Sequence, residues 1–194
     1  MTFVDGFYSF NLDISDTERG LYQKTRVKTP KHPHESVPHL LARVLAFAHC
    51  YESGLSFSRG LFADEEPTLW KRDALGTVQL WIQVGEVNRK KLQKSLRQQP
   101  QARHILYFYE PAQVEALYLQ RGKINGVETL TCHLIDGAFL DQLAPHLKSA
   151  SNWQITFIDD LVYLTSAHQE LQTKLVMIDL KRHAPLHLPP FNVL

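Results

Sequence analysis

The sequence has little of several features that mark whole classes of protein. Its 194 residues include only two cysteines, Cys50 and Cys132, too few and too far apart for a disulfide framework. No stretch approaches the roughly 18 uninterrupted apolar residues of a membrane-spanning helix. The opening residues, MTFVDGFYSFNLDISD, lack the basic region and apolar run of a signal peptide. We therefore expect a cytoplasmic protein with no membrane segment.

A strong charge of either sign is also missing. The chain has 21 Lys and Arg against 20 Asp and Glu, a formal net charge of +1. Any surface for nucleic acid must therefore come from local clusters of cations. The GxSxG, P-loop and GxGxxG patterns do not occur, so no nucleophile elbow or nucleotide-binding loop is predicted.

What is present predicts an alternation of strands and helices in one domain. Apolar spacing predicts two strands forming a hairpin, a long helix, then strands and helices in turn, and three final strands. The predicted ranges are 3–13, 22–28, 77–84, 105–109, 128–134, 153–158, 160–165 and 175–180 for strands and 35–52, 86–98, 111–120 and 138–147 for helices. This order is typical of an α/β or α+β fold with a mixed β-sheet flanked by helices. We expect the domain to span residues 1–182, followed by an irregular proline-rich tail, HAPLHLPPFNVL, at 183–194.

Two clusters of cations fall on single faces of predicted elements. Strand alternation places Lys24, Arg26 and Lys28 on one face of the second strand. Helical spacing brings together Lys90, Lys94 and Arg97. Both sets could contact phosphates of a nucleic acid, although a helix rich in Lys and Arg is more often a solvated face.

Carboxylates are the other candidates for chemistry. Metal-dependent phosphodiester hydrolysis needs two or three of them around a hard cation, with a lysine nearby. The sequence offers Glu35 at a helix start, Glu65 and Glu66 in an acidic loop, and Glu86 after a buried strand. Each also has a plain structural explanation, because acidic loops are usually solvated and a glutamate at a helix N-terminus is stabilised by the helix dipole.

Three separated stretches resemble the YaeQ family of bacterial proteins. KHPHES, RGLFADEEPTLW and LWIQVG are similar to the family patterns H-P-S-E, R-G-L…D-E-P-x-L-W and W-I-E-x-G. The resemblance extends more loosely from the first hairpin to about Leu180. It implies a fold similar to the PD-(D/E)XK nucleases with a variant magnesium site.

The resemblance also implies where such a site would fall. Glu35 matches the helix glutamate, Glu65 or Glu66 the acid before the proline, and Gln83 the strand glutamate. Gly85 stands where a standard site has its lysine, and the following helix could supply a displaced cation from Arg89, Lys90 or Lys91. The implied catalytic set is thus Glu35, Glu65, Glu66, Gln83 and Lys90, and the implied Mg²⁺ ligands are Glu65, Glu66, Gln83 and Glu86.

The chain departs from the family pattern at two points. Gln83 can ligate through its amide oxygen but brings no negative charge, which should weaken a Mg²⁺ site. Glu86 restores the charge only if the turn at Gly85 rotates it inward. His34 replaces the serine before Glu35, which predicts the loss of a good N-cap.

Three functions therefore stay open at the level of sequence. The first is a Mg²⁺-dependent nuclease or related phosphodiesterase with a variant site. The second is a catalytically inactive nuclease-fold module that binds nucleic acid. The third is a module that binds a protein partner, with the same charges serving only solubility.

Overall fold

The computed structural model describes residues 6–58, 66–167 and 169–181. Two sequence predictions lie outside these residues, namely the metal ligand Glu65 and the tail at 183–194. The described chain divides into two compact units. The first unit comprises residues 6–51 and 136–175, and the second comprises 52–58, 66–135 and 176–181.

The described residues form ten strands and four α-helices. The strands are β1 (Gly6–Asp16), β2 (Leu21–Lys31), β3 (Ser56–Phe57), β4 (Leu69–Arg72), β5 (Val78–Val84), β6 (Arg103–Phe108), β7 (Thr131–Ile135), β8 (Ala150–Ile158), β9 (Leu161–Ser166) and β10 (Gln169–Met177). The helices are α1 (Val37–His49), α2 (Arg89–Gln98), α3 (Pro111–Gln120) and α4 (Gly137–Leu143). The mixed α/β class is confirmed. None of these helices is both long and apolar enough to cross a membrane.

The first unit contains a mixed sheet in the strand order β2-β1-β8-β9-β10. β1 and β2 form the expected antiparallel hairpin, β8 runs parallel to β1, and β9 and β10 continue antiparallel. Alternation divides each strand into a buried and an exposed set of side chains. Most of the buried set of β1, β8 and β9 is apolar, and its members Phe10 and Trp153 meet edge to face at 4.8 Å between ring centroids.

Helix α1 packs in the first unit, and its sequence explains both its ends and its burial. Ser36 accepts a hydrogen bond from the backbone N–H of His39, which makes it the N-cap, and Pro38 lies in the first turn. The run from Leu40 to Ala48 is buried. The predicted loss of an N-cap at His34 was therefore wrong, because the helix begins two residues later and uses the next serine.

The second unit is built around parallel strands. Its sheet has the order β7-β6-β5-β4-β3, with β5, β6 and β7 parallel and with β4 and β3 antiparallel at one end. β6 lies between β5 and β7 in this sheet and is buried from His104 to Phe108, as its continuous apolar run predicts. β4 lies in a stretch predicted as loop. It is only four residues long, and its pairing with β5 rather than any local pattern makes it a strand.

Candidate nucleic-acid interface and the predicted metal site

Glu35 lies in the first unit, just before α1, and is buried beside Arg43. Arg43 lies within the otherwise apolar run of that helix. Glu35 Oε1 is 2.8 Å from Arg43 Nε, an ionic contact whose alignment falls outside hydrogen-bond geometry. Its Oε2 accepts hydrogen bonds from Arg43 Nη2 at 3.2 Å and from the backbone N–H of His32 at 3.1 Å. The same Nη2 donates to the carbonyl of Pro30 at 2.9 Å.

This pairing gives Glu35 a structural role. The side chains of Glu35 and Arg43 are 1% and 3% exposed, so each charge depends on the other for its compensation. Burial raises the pKa of the Glu35 carboxyl, and the Arg43 guanidinium opposes that shift. Sequence reasoning missed Arg43. Its position inside the otherwise apolar run LLARVLAF was the available signal, since an arginine there must find a buried partner.

Gln83 lies near the end of β5 in the second unit and carries an unsatisfied atom. Its Nε2 donates to the carbonyl of Val84 at 3.3 Å, while its Oε1 is buried and accepts no hydrogen bond from the residues that the structure describes. A buried amide oxygen without a donor is costly, and natural structures seldom keep one without a reason. The predicted strand glutamate position therefore holds a neutral oxygen that is available to a cation or a donor.

The end of the acidic loop runs alongside this position. β4 pairs with β5 through Leu69 and Ile82, and the backbone N–H of Val84 donates to Thr68 Oγ1 at 3.0 Å. Residues 66–68 therefore lie next to the carboxyl end of β5, where Gln83 is. Glu66, which is half-buried, starts this segment.

Glu86 occupies different surroundings from Gln83. Gly85 has a φ of +81°, which turns the chain after β5, while its N–H still bonds the Tyr107 carbonyl at 2.8 Å. Glu86 is exposed and lines a cavity of about 280 Å³ together with Glu110 and the first two turns of α3. The lining of this cavity does not include Gln83.

The described residues contain no large cluster of metal-binding side chains. Among residues 6–58, 66–167 and 169–181, no group of three or more His, Cys, Asp or Glu side chains is placed to hold a metal ion. A Mg²⁺ site normally uses at least one or two carboxylates, and the free oxygen of Gln83 is neutral. The ligand set of Glu65, Glu66, Gln83 and Glu86 therefore stays a prediction.

The three cations that were predicted to share one face of α2 are exposed. Asn88 caps the helix by accepting from the Lys91 N–H at 3.1 Å, so α2 begins three residues later than expected. Lys90, Lys94 and Arg97 are exposed, whereas Leu92 and Ser95 on the other side are buried.

The sheet of the first unit has one exposed face, which we call the open face. Its side chains alternate with the buried set on every strand, and most of them are polar. They include Tyr22, Lys24, Arg26 and Lys28 on β2; Phe7, Ser9, Asn11, Asp13 and Ser15 on β1; Asn152, Gln154, Thr156 and Ile158 on β8; Tyr163 and Thr165 on β9; and Glu170, Gln172 and Lys174 on β10. The prediction that Lys24, Arg26 and Lys28 share one exposed face is confirmed.

Hydrogen bonds and ion pairs order the part of the open face next to these cations. Lys24 Nζ lies 3.2 Å from Asp13, and Arg26 Nε donates to Ser9 Oγ at 3.1 Å. Asn11 Nδ2 donates to Asn152 Oδ1 at 2.7 Å on the neighbouring strand. Lys28 has no ion-pair partner in the part of the chain that the structure describes.

A shallow groove crosses this part of the open face. It has a volume of about 670 Å³, and its polar lining combines the cations Lys24 and Arg26 and the carboxylate of Asp13 with the amides of Asn11, Asn152 and Gln154. Sequence reasoning found the cations but missed the amides. The alternation of Asn152, Gln154 and Thr156 with apolar residues was the signal that could have found them.

Comparison with known proteins settles the family. The family model described as YaeQ protein matches residues 1–175. The chain belongs to the YaeQ family. It is 27% identical over 169 residues to the YaeQ protein of Salmonella typhi, which covers 87% of this chain and 92% of that one. The YaeQ protein of Escherichia coli strain K12 is 25% identical over 171 residues, with the same two coverages. Both relatives are described as uncharacterized.

Solved YaeQ structures have the same fold. The crystal structure of YaeQ from Xanthomonas axonopodis pv. citri superposes with a TM-score of 0.79 at 25% identity, covering 89% of this chain and 96% of that one. The crystal structure of YaeQ from Pseudomonas syringae superposes with a TM-score of 0.78 at 24% identity, covering 90% of this chain and 96% of that one. YaeQ membership thus fixes the fold, and the activity must be argued from the residues.

Proposed function

We propose that this YaeQ-family protein binds nucleic acid through the open face of its first unit and that this binding involves no cleavage. The observation that carries the proposal is the exposure of Lys24, Arg26 and Lys28 on one face of β2. Cations side by side on a strand contact successive phosphates, and this contact supplies most of the affinity for a nucleic acid.

Two further features of the first unit support binding over catalysis. Amide side chains adjoin the cations in the groove, and Asn and Gln hydrogen-bond both phosphates and base edges. Glu35, the acid implied for catalysis in this unit, forms a buried ion pair with Arg43, which favours a structural role for its carboxylate.

The test is a paired charge reversal with a matched control. Arg26→Glu with Lys28→Glu removes two cations from the open face, and Lys123→Glu with Lys148→Glu makes the same change in net charge at exposed lysines elsewhere. Affinity for labelled DNA and RNA is measured by fluorescence anisotropy over a range of salt concentrations. We expect the first pair to weaken binding and to make the plot of log K against log salt shallower by roughly 1.4 to 1.8, the share of two phosphate contacts.

The control decides what a loss of binding means. The control variant, Lys123→Glu with Lys148→Glu, should keep the affinity and the salt slope of the unaltered protein. If both double variants weaken binding equally, the open face is not the binding surface. If the unaltered protein binds neither DNA nor RNA, the proposed function is wrong.

A Mg²⁺-dependent phosphodiesterase of the PD-(D/E)XK type is the second candidate, and it is favoured by the unsatisfied Oε1 of Gln83. Residues 66–68, which begin with Glu66, lie next to the end of the strand that carries Gln83. Titration calorimetry with Mn²⁺ and Mg²⁺ tests the candidate on the unaltered protein, Gln83→Glu and Glu66→Ala. If Gln83→Glu strengthens metal binding and Glu66→Ala abolishes it, the result supports a metal site at the end of β5. Binding in none of the three proteins removes the candidate.

A further inference from the structure

We infer that the open face binds single-stranded rather than duplex nucleic acid, because it places two exposed tyrosines and a column of cations on one face of the sheet. This inference rests on the proposed function and specifies its ligand. It depends on the register of the strands in the first unit, which fixes the spacing of the side chains.

The two tyrosines lie in one row across the sheet. Tyr22 on β2 is opposite Ser15 on β1, Ser15 is opposite Thr156 on β8, and Thr156 is opposite Tyr163 on β9. Three strand spacings separate the tyrosines, a distance of roughly 14 Å. Only short side chains stand between them, so a ligand lying on this row can reach both rings.

Both rings are accessible. Tyr22 is 71% exposed and Tyr163 is 38% exposed, and Phe7 at the other end of β1 is 67% exposed. A single exposed aromatic residue is ordinary, but several on the same face as a cationic strand are the combination that single-stranded nucleic acids require. Bases stack on the rings while the cations contact the backbone.

The cations lie beside this row rather than within it. Lys24, Arg26 and Lys28 follow Tyr22 along β2 at every second residue. Asn152 and Gln154 lie on β8, two strand spacings or roughly 10 Å away. Phosphates that track along β2 therefore leave the bases over β1 and β8, where amide and hydroxyl groups can bond to their edges.

The same geometry disfavours a duplex. The major groove of a duplex admits a helix or a two-stranded ribbon, and the bases of a duplex are already stacked on one another. A face formed by five strands is wider than such a ribbon. It offers its tyrosines only to bases that are free to leave their neighbours.

The experiment compares a short single strand with a duplex of the same length. Oligo(dT), oligo(U) and a mixed-sequence duplex are titrated against the full chain and against Tyr22→Ala with Tyr163→Ala. Tyr22→Phe with Tyr163→Phe keeps the rings, and Leu119→Ala removes an exposed apolar side chain of the second unit as a control. Because all these positions are exposed, each variant should keep the thermal midpoint of the unaltered protein.

We expect the single strands to bind more tightly than the duplex. The double alanine variant should lose about 25-fold or more of the single-strand affinity, since each of its two rings stacks a base that contributes at least about fivefold, and its duplex affinity should not change. The double phenylalanine variant and Leu119→Ala should bind as the unaltered protein does.

Other outcomes overturn the inference and separate it from the proposed function. The protein could bind the single strands and the duplex with equal affinity, lose that affinity on charge reversal at Arg26 and Lys28, and keep it in the tyrosine variants. This result refutes single-strand selection but leaves the proposed nucleic-acid binding intact. Sedimentation could instead show a dimer that becomes a monomer in the double alanine variant, with no change in nucleic-acid affinity. The tyrosines would then contact a second copy of this chain, and the inference would be wrong. Absence of binding to every oligonucleotide refutes both.

Discussion

The carboxylate of Glu35 lies 2.8 Å from the guanidinium Nε of Arg43, and both side chains are almost completely buried in the first unit. The family resemblance implied Glu35 as a catalytic acid, yet its two oxygens face Arg43 and the backbone of His32. The pair ties the segment before α1 to the middle of that helix. It also fixes the last residues of β2, through the bond from Arg43 to the carbonyl of Pro30.

Removing one partner of this pair should be far more damaging than removing both. Arg43→Met leaves a buried carboxylate without compensation and should lower the free energy of unfolding by about 3 to 5 kcal/mol. Adding Glu35→Leu in the same chain should recover most of that loss. Urea unfolding followed by circular dichroism measures both variants, and a double variant as unstable as Arg43→Met contradicts the pairing.

Buried histidines should make the protein less stable in mild acid. Burial lowers the pKa of His39 to about 4 and that of His133 to about 4. Between pH 6.5 and 4 the unfolded chain binds protons at these positions and the folded chain does not, so stability falls as pH falls. Each histidine should contribute a slope of up to about 1.4 kcal/mol per pH unit in the free energy of unfolding.

His133→Phe isolates one of these contributions. His133 stacks on Tyr107 with ring centroids 5.1 Å apart, and phenylalanine can keep that contact. The variant should show a shallower fall in stability between pH 6.5 and 4, measured by urea unfolding at several pH values. The matched change at an exposed position, His146→Phe, should leave the slope as it is.

The cysteines should be unreactive while the protein is folded. Cys132 is 1% exposed and Cys50 is 8% exposed, and burial raises the pKa of the Cys132 thiol to about 12. Because the thiolate is the reactive form, a thiol reagent should modify neither residue in native buffer and both in urea. Rapid native labelling of the Cys50→Ala variant is the result that contradicts the buried position of Cys132.

The exposed cations of α2 should contribute to nucleic-acid binding only if the second unit also contacts phosphates. In that case Lys90→Glu with Lys94→Glu reduces affinity and makes the salt slope shallower by roughly 0.7 per lost single-strand contact. Fluorescence anisotropy titrations measure the affinity and the salt slope, with Lys123→Glu and Lys148→Glu together as the control variant. An unchanged slope assigns binding to the open face alone.

Local patterns predicted much of the fold. The alternation along β2, the apolar stripe of α1 and the continuous apolar run of β6 each depend on neighbouring residues, so each was visible in the sequence. β4 was missed because its pairing with β5, not its own pattern, makes it a strand. The N-cap of α1 was misplaced by two residues, since capping depends on backbone geometry at Ser36.

The candidate sites divide in the same way. Strand and helix periodicity alone placed Lys24, Arg26 and Lys28, and likewise Lys90, Lys94 and Arg97, on common exposed faces. The sequence could not tell that Arg43 holds Glu35, that Gln83 keeps an unsatisfied oxygen, or that Tyr22 and Tyr163 share one row. Those relationships join residues far apart in the chain. Only the register of the strands and the packing of α1 bring them together, so the sequence determined which side chains each element exposes and the tertiary structure decided which of them meet.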